Sequence, residues 1–510
     1  MDIITLKSFI PEIFFSCAIL FQLVYNVRII NNLKYNFPLL NKEVFFQTLF
    51  ILLCVIYMYN DLKLEGFLSS FSLINDEGTR TTKLILFIIS ACSLFVIHEA
   101  FNLQKLNFFE FYSVLLLSIL SLVVMISSSD LILFYLAMEM QALCFYVLAS
   151  LNRNSTFSIE AGLKYFISGS FISGFYLLGC SLIYGSLGTI NLHNINLLTS
   201  FNIESYSVEL NFLILLGAIL VTSTLLFKLA CAPFHFWSPD VYEGAPLAST
   251  LAFSVLPKLA VFFFFIKWIN SLNTIFSSLS DILLVFGIIS AIVGTFFALN
   301  QKRLKRLVIY SSIAQTGFLV AGLSNNSIDS FTAVYFFLFV YLITSILIWG
   351  HFTVFYRFSA KINEFYSKEL SPLFLSSLSH LVKTNSFWAF SFVIIFFSIA
   401  GVPPLTGFLA KMLIIYELIA ANKIVGAISL IVISSISVYY YIRMIKVVYF
   451  EPGKESTSVN NKFTVVFVNS ELDRVFFLFV ILLFTLGVVF YFPTFFLTIC
   501  QYIVIHSFGF

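Results

Sequence analysis

Of the charged side chains inside apolar runs of the sequence, four lie well away from the run ends or at a break, and these have the clearest chemistry to offer. Glu139 lies in LILFYLAMEMQALCFYVLA, Lys228 in FKLACAPFHFW, Lys258 in SVLPKLAVFFFF and Lys411 at the end of SIAGVPPLTGFLAK. A charge at the centre of a bilayer costs ~2.5–3.5 kcal/mol on insertion scales, so each needs a reason to be there. A static salt bridge or a snorkelling lysine is one reason. Snorkelling fits Lys267, close to a helix end, and fits Lys258 poorly, since it lies at the centre of its run. The other reason is proton transfer. An ammonium in apolar surroundings holds its proton less firmly, and a neighbouring carboxylate restores that hold. At ~7 Å and an effective dielectric of ~20, the pair energy is roughly 2.4 kcal/mol. Moving Glu139 toward or away from Lys228 would then load and discharge a proton, with Lys258 and Lys411 as onward relays.

Polar side chains fill some of the intervals between these charges: Tyr310, Ser311, Ser312 and Gln315 in one apolar run, and Thr222, Ser223 and Thr224 in another. Each taken singly also reads as a helix-packing residue. Prolines break two of the runs, Pro233 after Lys228 and Pro403-Pro404 before Lys411. Such breaks free backbone carbonyls and amides that can hold water inside a membrane. Asp240 and Glu243, in FHFWSPDVYEGAP, either cap a helix, meet a neighbouring subunit or sit in a solvated turn.

Redox and metal chemistry find little support. The seven cysteines, Cys17, Cys54, Cys92, Cys144, Cys180, Cys231 and Cys500, include no CxxC pair, so no iron–sulfur or zinc site is expected. The histidines are His98, His193, His235, His351, His380 and His506. None pair at helical spacing, and only His351 lies well inside an apolar run, so haem is not expected.

The elements that must position these residues are membrane helices. Apolar residues make up 60% of the 510, charged residues only 10%, and mean hydropathy is +0.99. Soluble domains carry about 25% charged residues. A nucleic-acid binder, a secreted disulfide scaffold and a large aqueous catalytic domain are thereby excluded. Runs long enough to cross a ~30 Å core occur near 9–27, 44–60, 84–98, 108–127, 130–151, 165–187, 209–232, 246–269, 275–298, 307–323, 330–356, 386–420, 424–449 and 475–500. The expected fold is an all-α polytopic membrane protein of about 14 transmembrane helices. The loops after odd-numbered spans hold most of the 28 Lys and Arg, including Lys302, Arg303, Lys305 and Arg306. By the positive-inside rule both termini face the intermembrane space or periplasm, and the polar segments 357–385 and 450–474 face the matrix or cytoplasm. The broken spans 7 and 12 are five apart. An odd separation reverses orientation, so spans 4–8 and 9–13 read as two inverted five-helix repeats. The expected organisation is 1–107, three N-terminal helices; 108–269, repeat 1; 275–449, repeat 2; and 450–510, an inner loop and a last helix. The N-terminus reads as a retained helix without a transit segment. The 65 Phe suit an AT-rich genome such as many mitochondrial ones.

Between roughly 105 and 450 the chain resembles the subunit 2 (bacterial subunit N) family of proton-pumping NADH:quinone oxidoreductase, respiratory complex I. The matching stretches are YLAMEMQALCFYVLAS, EAGLKYFISGSFISGFYLLGCSLIYGSLGT, FKLACAPFHFWSPDVYEGAPLASTLAFSVLPK, NQKRLKRLVIYSSIAQTGF and SIAGVPPLTGFLAKMLI. The third is the most specific. Lys411 also fits subunit 2, since the related subunit 4 carries a glutamate there, and the related subunit 5 is longer. The resemblance implies an antiporter-like fold. It matches Glu139 to the family's helix-5 glutamate, Lys228 and Lys258 to the lysines of helices 7 and 8, and Lys411 to the helix-12 residue. It implies neighbouring subunits 4L and 4, boundary phospholipids, and no cofactor bound by this chain, with flavin, iron–sulfur clusters and quinone held elsewhere in the complex. It places the chain in the mitochondrial inner membrane or, alternatively, a bacterial plasma membrane. One departure is SSIAQ, where many relatives have SSIAH or SSIGH. Gln315 cannot shuttle a proton as histidine does, and a water-filled path is expected there instead. Two other functions remain open: a stand-alone cation/proton antiporter subunit, and a non-conducting structural scaffold.

Overall fold

The long helices are apolar on nearly every face rather than along one stripe, as helices that meet lipid on one side and protein on the other must be. The computed structural model describes residues 7–32, 39–60, 66–68, 72–104, 110–201, 208–272, 276–366, 374–375, 378, 386–403, 405–450 and 491–508. The helices are α1 (Ile10–Asn32), α2 (Leu39–Asn60), α3 (Glu77–Leu103), α4 (Glu110–Ser127), α5 (Leu131–Ala149), α6 (Thr156–Leu187), α7 (Leu192–Phe201), α8 (Val208–Lys228), α9 (Trp237–Gly244), α10 (Leu247–Ser271), α11 (Phe276–Leu299), α12 (Leu304–Gly322), α13 (Ile328–Tyr366), α14 (Ser386–Ala400), α15 (Thr406–Ala420), α16 (Ile424–Tyr449) and α17 (Tyr491–Phe508). Ten helices among the described residues are long and apolar enough to cross a membrane. Shorter apolar helices run over Phe46–Asn60, Trp388–Ala400 and Phe496–Ser507.

The chain forms two units. The first holds 1–283, 326–331 and 501–510, and α10 is its centre. The apolar stretch of α10 is 94% buried, because α3, α4, α5, α7, α8 and α9 all pack against it. Around it, α4 packs on α5, α5 on α6 and α6 on α8. The second unit holds 284–325 and 332–500. There α14 and α15 both lie against α16, and α12 packs on α15. Exposed Leu20, Phe21, Val24, Leu136, Leu143, Val425 and Ile428 suit surfaces turned to lipid.

The helices differ from the hydropathy reading mainly at their polar first turns. Span 3, expected from 84, begins at Glu77, and span 6, expected from 165, begins at Thr156. Charged side chains in those turns hide the helix from a hydropathy window, although the backbone is already helical. As a result Lys83 and Lys164, expected in loops, lie within helices. Two short helices, α7 and α9, and a small antiparallel hairpin of β1 (Gly66–Leu68) and β2 (Leu73–Asn75) were not foreseen. The expected single broken span 386–420 is two helices, α14 and α15. Residues 450–474 and 475–490, apart from Phe450, lie outside the described residues, as does most of 357–385.

Candidate functional site

Glu139 projects from α5, Lys228 closes α8, and Lys258 follows Pro257 in α10. Each of these helices packs against at least one of the other two, so three of the four buried charges share one helical cluster within the first unit. The Glu139 charge acts through space on Lys228 and also on Tyr135, Tyr146 and Tyr165. There is no contact ion pair. Oε1 of Glu139 and Nζ of Lys228 are both buried without a hydrogen-bond partner among the described residues. Buried charges in that state are costly unless something fills the gap, and a water with polar partners on each side is the usual solution.

The break after Lys228 is built by the backbone. The Cys231 amide donates to the Leu226 carbonyl at 3.0 Å, and Ala230 takes a left-handed conformation at φ 57°. The chain leaves the helix before Pro233, which has no amide to continue it. The carbonyl of Phe227 turns to the indole Nε1 of Trp237, which donates to it at 3.1 Å. Lys258 is 5% exposed and lies near Cys231, just beyond the same break. An aromatic wall surrounds this region. Tyr165 stacks on Trp237 with ring centroids 4.8 Å apart, Phe227 stacks on Trp237 at 5.5 Å, and Tyr242 donates to the Phe253 carbonyl at 3.2 Å. In the turn between α8 and α9, burial pushes the His235 imidazole below its ordinary pKa, against a hydrogen bond with the Pro233 backbone.

Lys411 belongs to the second unit, and its surroundings are separately clear. Its Nζ donates to the Ala400 carbonyl at 2.9 Å and lies 5.7 Å from the centre of the Phe318 ring. That carbonyl is available because α14 ends at Ala400, and the Gly401 and Val402 amides turn back to Phe397 at 3.1 Å. Gly401 has φ +86°, and a Cβ there would lie 3.1 Å from Cδ of Lys411. Pro403 follows in the turn; Pro404 lies outside the described residues. A small cavity beside Lys411, with room for about one water, is lined by Gln315, Tyr341, Thr344 and Ser398 among others.

The remaining expected path residues separate. Gln315 lines the Lys411 cavity. Ser311 and Ser312 donate to Val308 and Ile309 of their own helix at 2.7 and 2.8 Å, the packing reading of these side chains. Ser311 also interacts with Tyr441. Tyr310 stacks on Phe297 at 5.5 Å. Thr222, Ser223 and Thr224 likewise bond back along α8. Lys267 does not snorkel. Its Nζ donates to the Ile126 carbonyl at 2.9 Å over the Phe263 ring, because the last turn of α4 leaves that carbonyl without a helical donor. Asp240 pairs with Lys164 at 2.9 Å, and Lys164 also holds Glu160 at 2.8 Å. Sequence reasoning missed Lys164 and the Tyr146–Tyr165–Trp237 wall. Their signal was present in EAGLKYF, where a lysine falls four residues after a glutamate. His351 is buried, bonded to the Leu347 carbonyl and to Ser391, both at 2.8 Å.

Comparison with known proteins finds relatives over most of the chain. Residues 128–437 match the family described as NADH:quinone oxidoreductase/Mrp antiporter, transmembrane. NADH-ubiquinone oxidoreductase chain 2 of Marchantia polymorpha is 32% identical over 87% of this chain and 88% of its own. NADH-quinone oxidoreductase subunit N of Pelagibacter ubique is 34% identical over 88% and 91%. Among solved structures, a chain of respiratory complex I from Thermus thermophilus superposes with a TM-score of 0.74 at 23% identity, covering 96% of this chain and 98% of that one. A chain of the Mrp complex from Dietzia superposes with a TM-score of 0.78 at 16% identity, covering 99% and 98%.

Proposed function

The chain belongs to the NADH:quinone oxidoreductase/Mrp antiporter family, on its subunit 2 and subunit N branch, and from that membership we propose that it moves protons through Glu139, Lys228, Lys258 and Lys411. It is a membrane subunit of NADH:quinone oxidoreductase and works beside other subunits of that complex. The observation that carries the proton reading is the Glu139–Lys228 pair: electrostatically coupled, buried, and held apart at the break of α8. A contact pair would be fixed in place. A separated pair changes its energy with small movements of α5 or α8, so each movement alters how firmly Lys228 keeps its proton. Lys258, just past the same break, receives what Lys228 releases. In the second unit, the single-water cavity lets Gln315, Thr344 and Ser398 orient a water against Lys411. That replaces a histidine relay.

The partners that fit this reading are subunits 4L and 4 with boundary phospholipids. The inner mitochondrial or bacterial plasma membrane is the site, with both termini outward. Flavin, iron–sulfur clusters and quinone lie in other subunits. The test is a native gel of mild-detergent membranes stained for NADH dehydrogenase, followed by proton pumping in variants. Glu139→Gln and Lys258→Met are expected to assemble and to lose most pumping. Normal pumping in both, with disturbed assembly, would point to a non-conducting scaffold. A second reading, a stand-alone cation/proton antiporter, is favoured only by the likeness to the Mrp complex. It requires that the chain be absent from the NADH dehydrogenase band and that transport depend on Na⁺ or K⁺.

A further inference from the structure

A second buried acid–base cluster lies in the first unit, away from Glu139 and Lys228. Lys83, fully buried in the second turn of α3, donates to Oε1 of Glu12 on α1 at 2.6 Å and to Oδ1 of Asn75 at the end of β2. The Asn75 amide donates to the Ser8 carbonyl at 3.0 Å, and Arg80 donates to the same carbonyl at 3.3 Å. Oε2 of Glu12 is buried and has no hydrogen-bond partner among the described residues. Lys267 on α10 feels the charges of Asp76 and Lys83, and Cys54 on α2 lies near Glu12. The N-terminal ends of α1 and α3 and the C-terminal ends of α4 and α10 therefore meet here, on the side that the proposed topology makes outward.

We propose that the Glu12–Lys83 pair is a second proton-carrying site of this chain, acting near its outward side. Glu12 spends Oε1 on Lys83, and Oε2, buried and without a hydrogen-bond partner among the described residues, is the position that can hold a proton. A proton added at Oε2 forms one O–H bond and leaves Lys83 an ammonium, so the pair gains one positive charge. Its release breaks that O–H bond and restores the ion pair, and no electron moves. The groups facing the pair are Cys54 from α2, Asn75 and Asp76 from the hairpin and its exit, Arg80 from α3 and Lys267 from α10. Lys267 and Arg80, as like charges, oppose loading and favour release. The site is not a simple continuation of the first. Lys258 and Lys267 are nine residues apart, about 13.5 Å along α10, and point from opposite faces.

The inference rests on the proton-translocating reading, and its test separates the two. Inside-out membranes carrying the intact complex would be assayed for NADH-driven proton uptake per NADH oxidised. The variants are Lys83→Arg, Glu12→Gln and, as reference, Glu139→Gln. Arginine keeps the charge and the contact with Glu12, so Oε2 can still take and release its proton, whereas glutamine keeps the shape of Glu12 without a proton site. The assembled Glu12→Gln complex is expected to lose as large a fraction of the proton-to-NADH ratio as Glu139→Gln, and the assembled Lys83→Arg complex to keep most of it. A normal ratio in assembled Glu12→Gln overturns the inference, as does a loss in assembled Lys83→Arg as large as in Glu12→Gln, and so does failure of both to assemble, which makes the pair a structural tie. A normal ratio in Glu139→Gln alone overturns the earlier reading and leaves this one standing.

Discussion

At the scale of single residues, the candidate site is a set of buried charges that differ in how they are partnered. Lys411 touches a carbonyl, whereas Lys228 and Oε1 of Glu139 are left without a hydrogen bond. This distinction makes a prediction. Lys411→Arg keeps the charge but brings a planar, longer head that does not fit the same single carbonyl. It is expected to lower NADH-driven proton uptake several-fold while NADH oxidation with an artificial acceptor stays normal. Gly401→Ala should be worse than its size suggests. The left-handed backbone costs a side chain about 1–2 kcal/mol, and the added methyl presses on Lys411. The expected result is a lower heat-inactivation temperature of the complex together with reduced pumping. His235 supplies a pH test. Its imidazole is held neutral by burial, so below about pH 6.5 the unfolded chain takes up a proton that the folded chain refuses. Stability is complete above that pH and falls as pH drops, and His235→Gln should flatten the slope of heat stability between pH 5 and 7. Most of these charges were legible in the sequence because burial cost alone singles them out. Lys83 and Glu12 were not, because a hydropathy window sees a lysine at the edge of an apolar run as solvated and cannot see Glu12 reach it from another helix.

At the scale of elements, the chemistry depends on where two helices stop. The break after α8 frees the Phe227 carbonyl for Trp237, and the break after α14 frees the Ala400 carbonyl for Lys411. The prolines that mark both breaks were readable in the sequence. The turns themselves were not, since they are made by Ala230 and Gly401 in left-handed conformations, three and two residues before the prolines. Close approach of α15 to α14 depends on Gly407, where a Cβ would lie only 1.8 Å from the Ser398 carbonyl oxygen. Gly407→Val should push α15 away from the Lys411 cavity. The expected outcome is little or no assembled complex on a native gel, against near-normal amounts for Leu405→Val outside that contact.

At the scale of the whole molecule, composition alone made this a polytopic helical membrane protein. The division into two units did not follow from composition, because helix-to-helix contacts are set by side-chain fit that hydropathy does not record. The first unit also takes in residues 501–510, which lie far along the chain from the rest of it. Tyr502 and His506 of α17 both meet Glu77 at the start of α3, His506 at 3.4 Å. Tyr502→Phe removes one hydrogen bond and is expected to cost about 0.5–1.5 kcal/mol in heat stability. Deleting residues 491–510 should remove the complex from the native gel.

The Tyr502–Glu77 contact spans 425 residues of chain. At about 5–20 residues per second, a ribosome needs roughly 20–85 s to deliver the partner after Glu77 has emerged. Through that interval the N-terminal end of α3 waits with a carboxylate and the bare backbone at Gly78, the surface that Ser507 later covers. Until then the start of α3 lacks the cover that α17 gives it. Ribosome stalling before residue 491 would leave an early domain that is inserted but not closed, and this is the stage at which quality control can distinguish a finished subunit from an abandoned one.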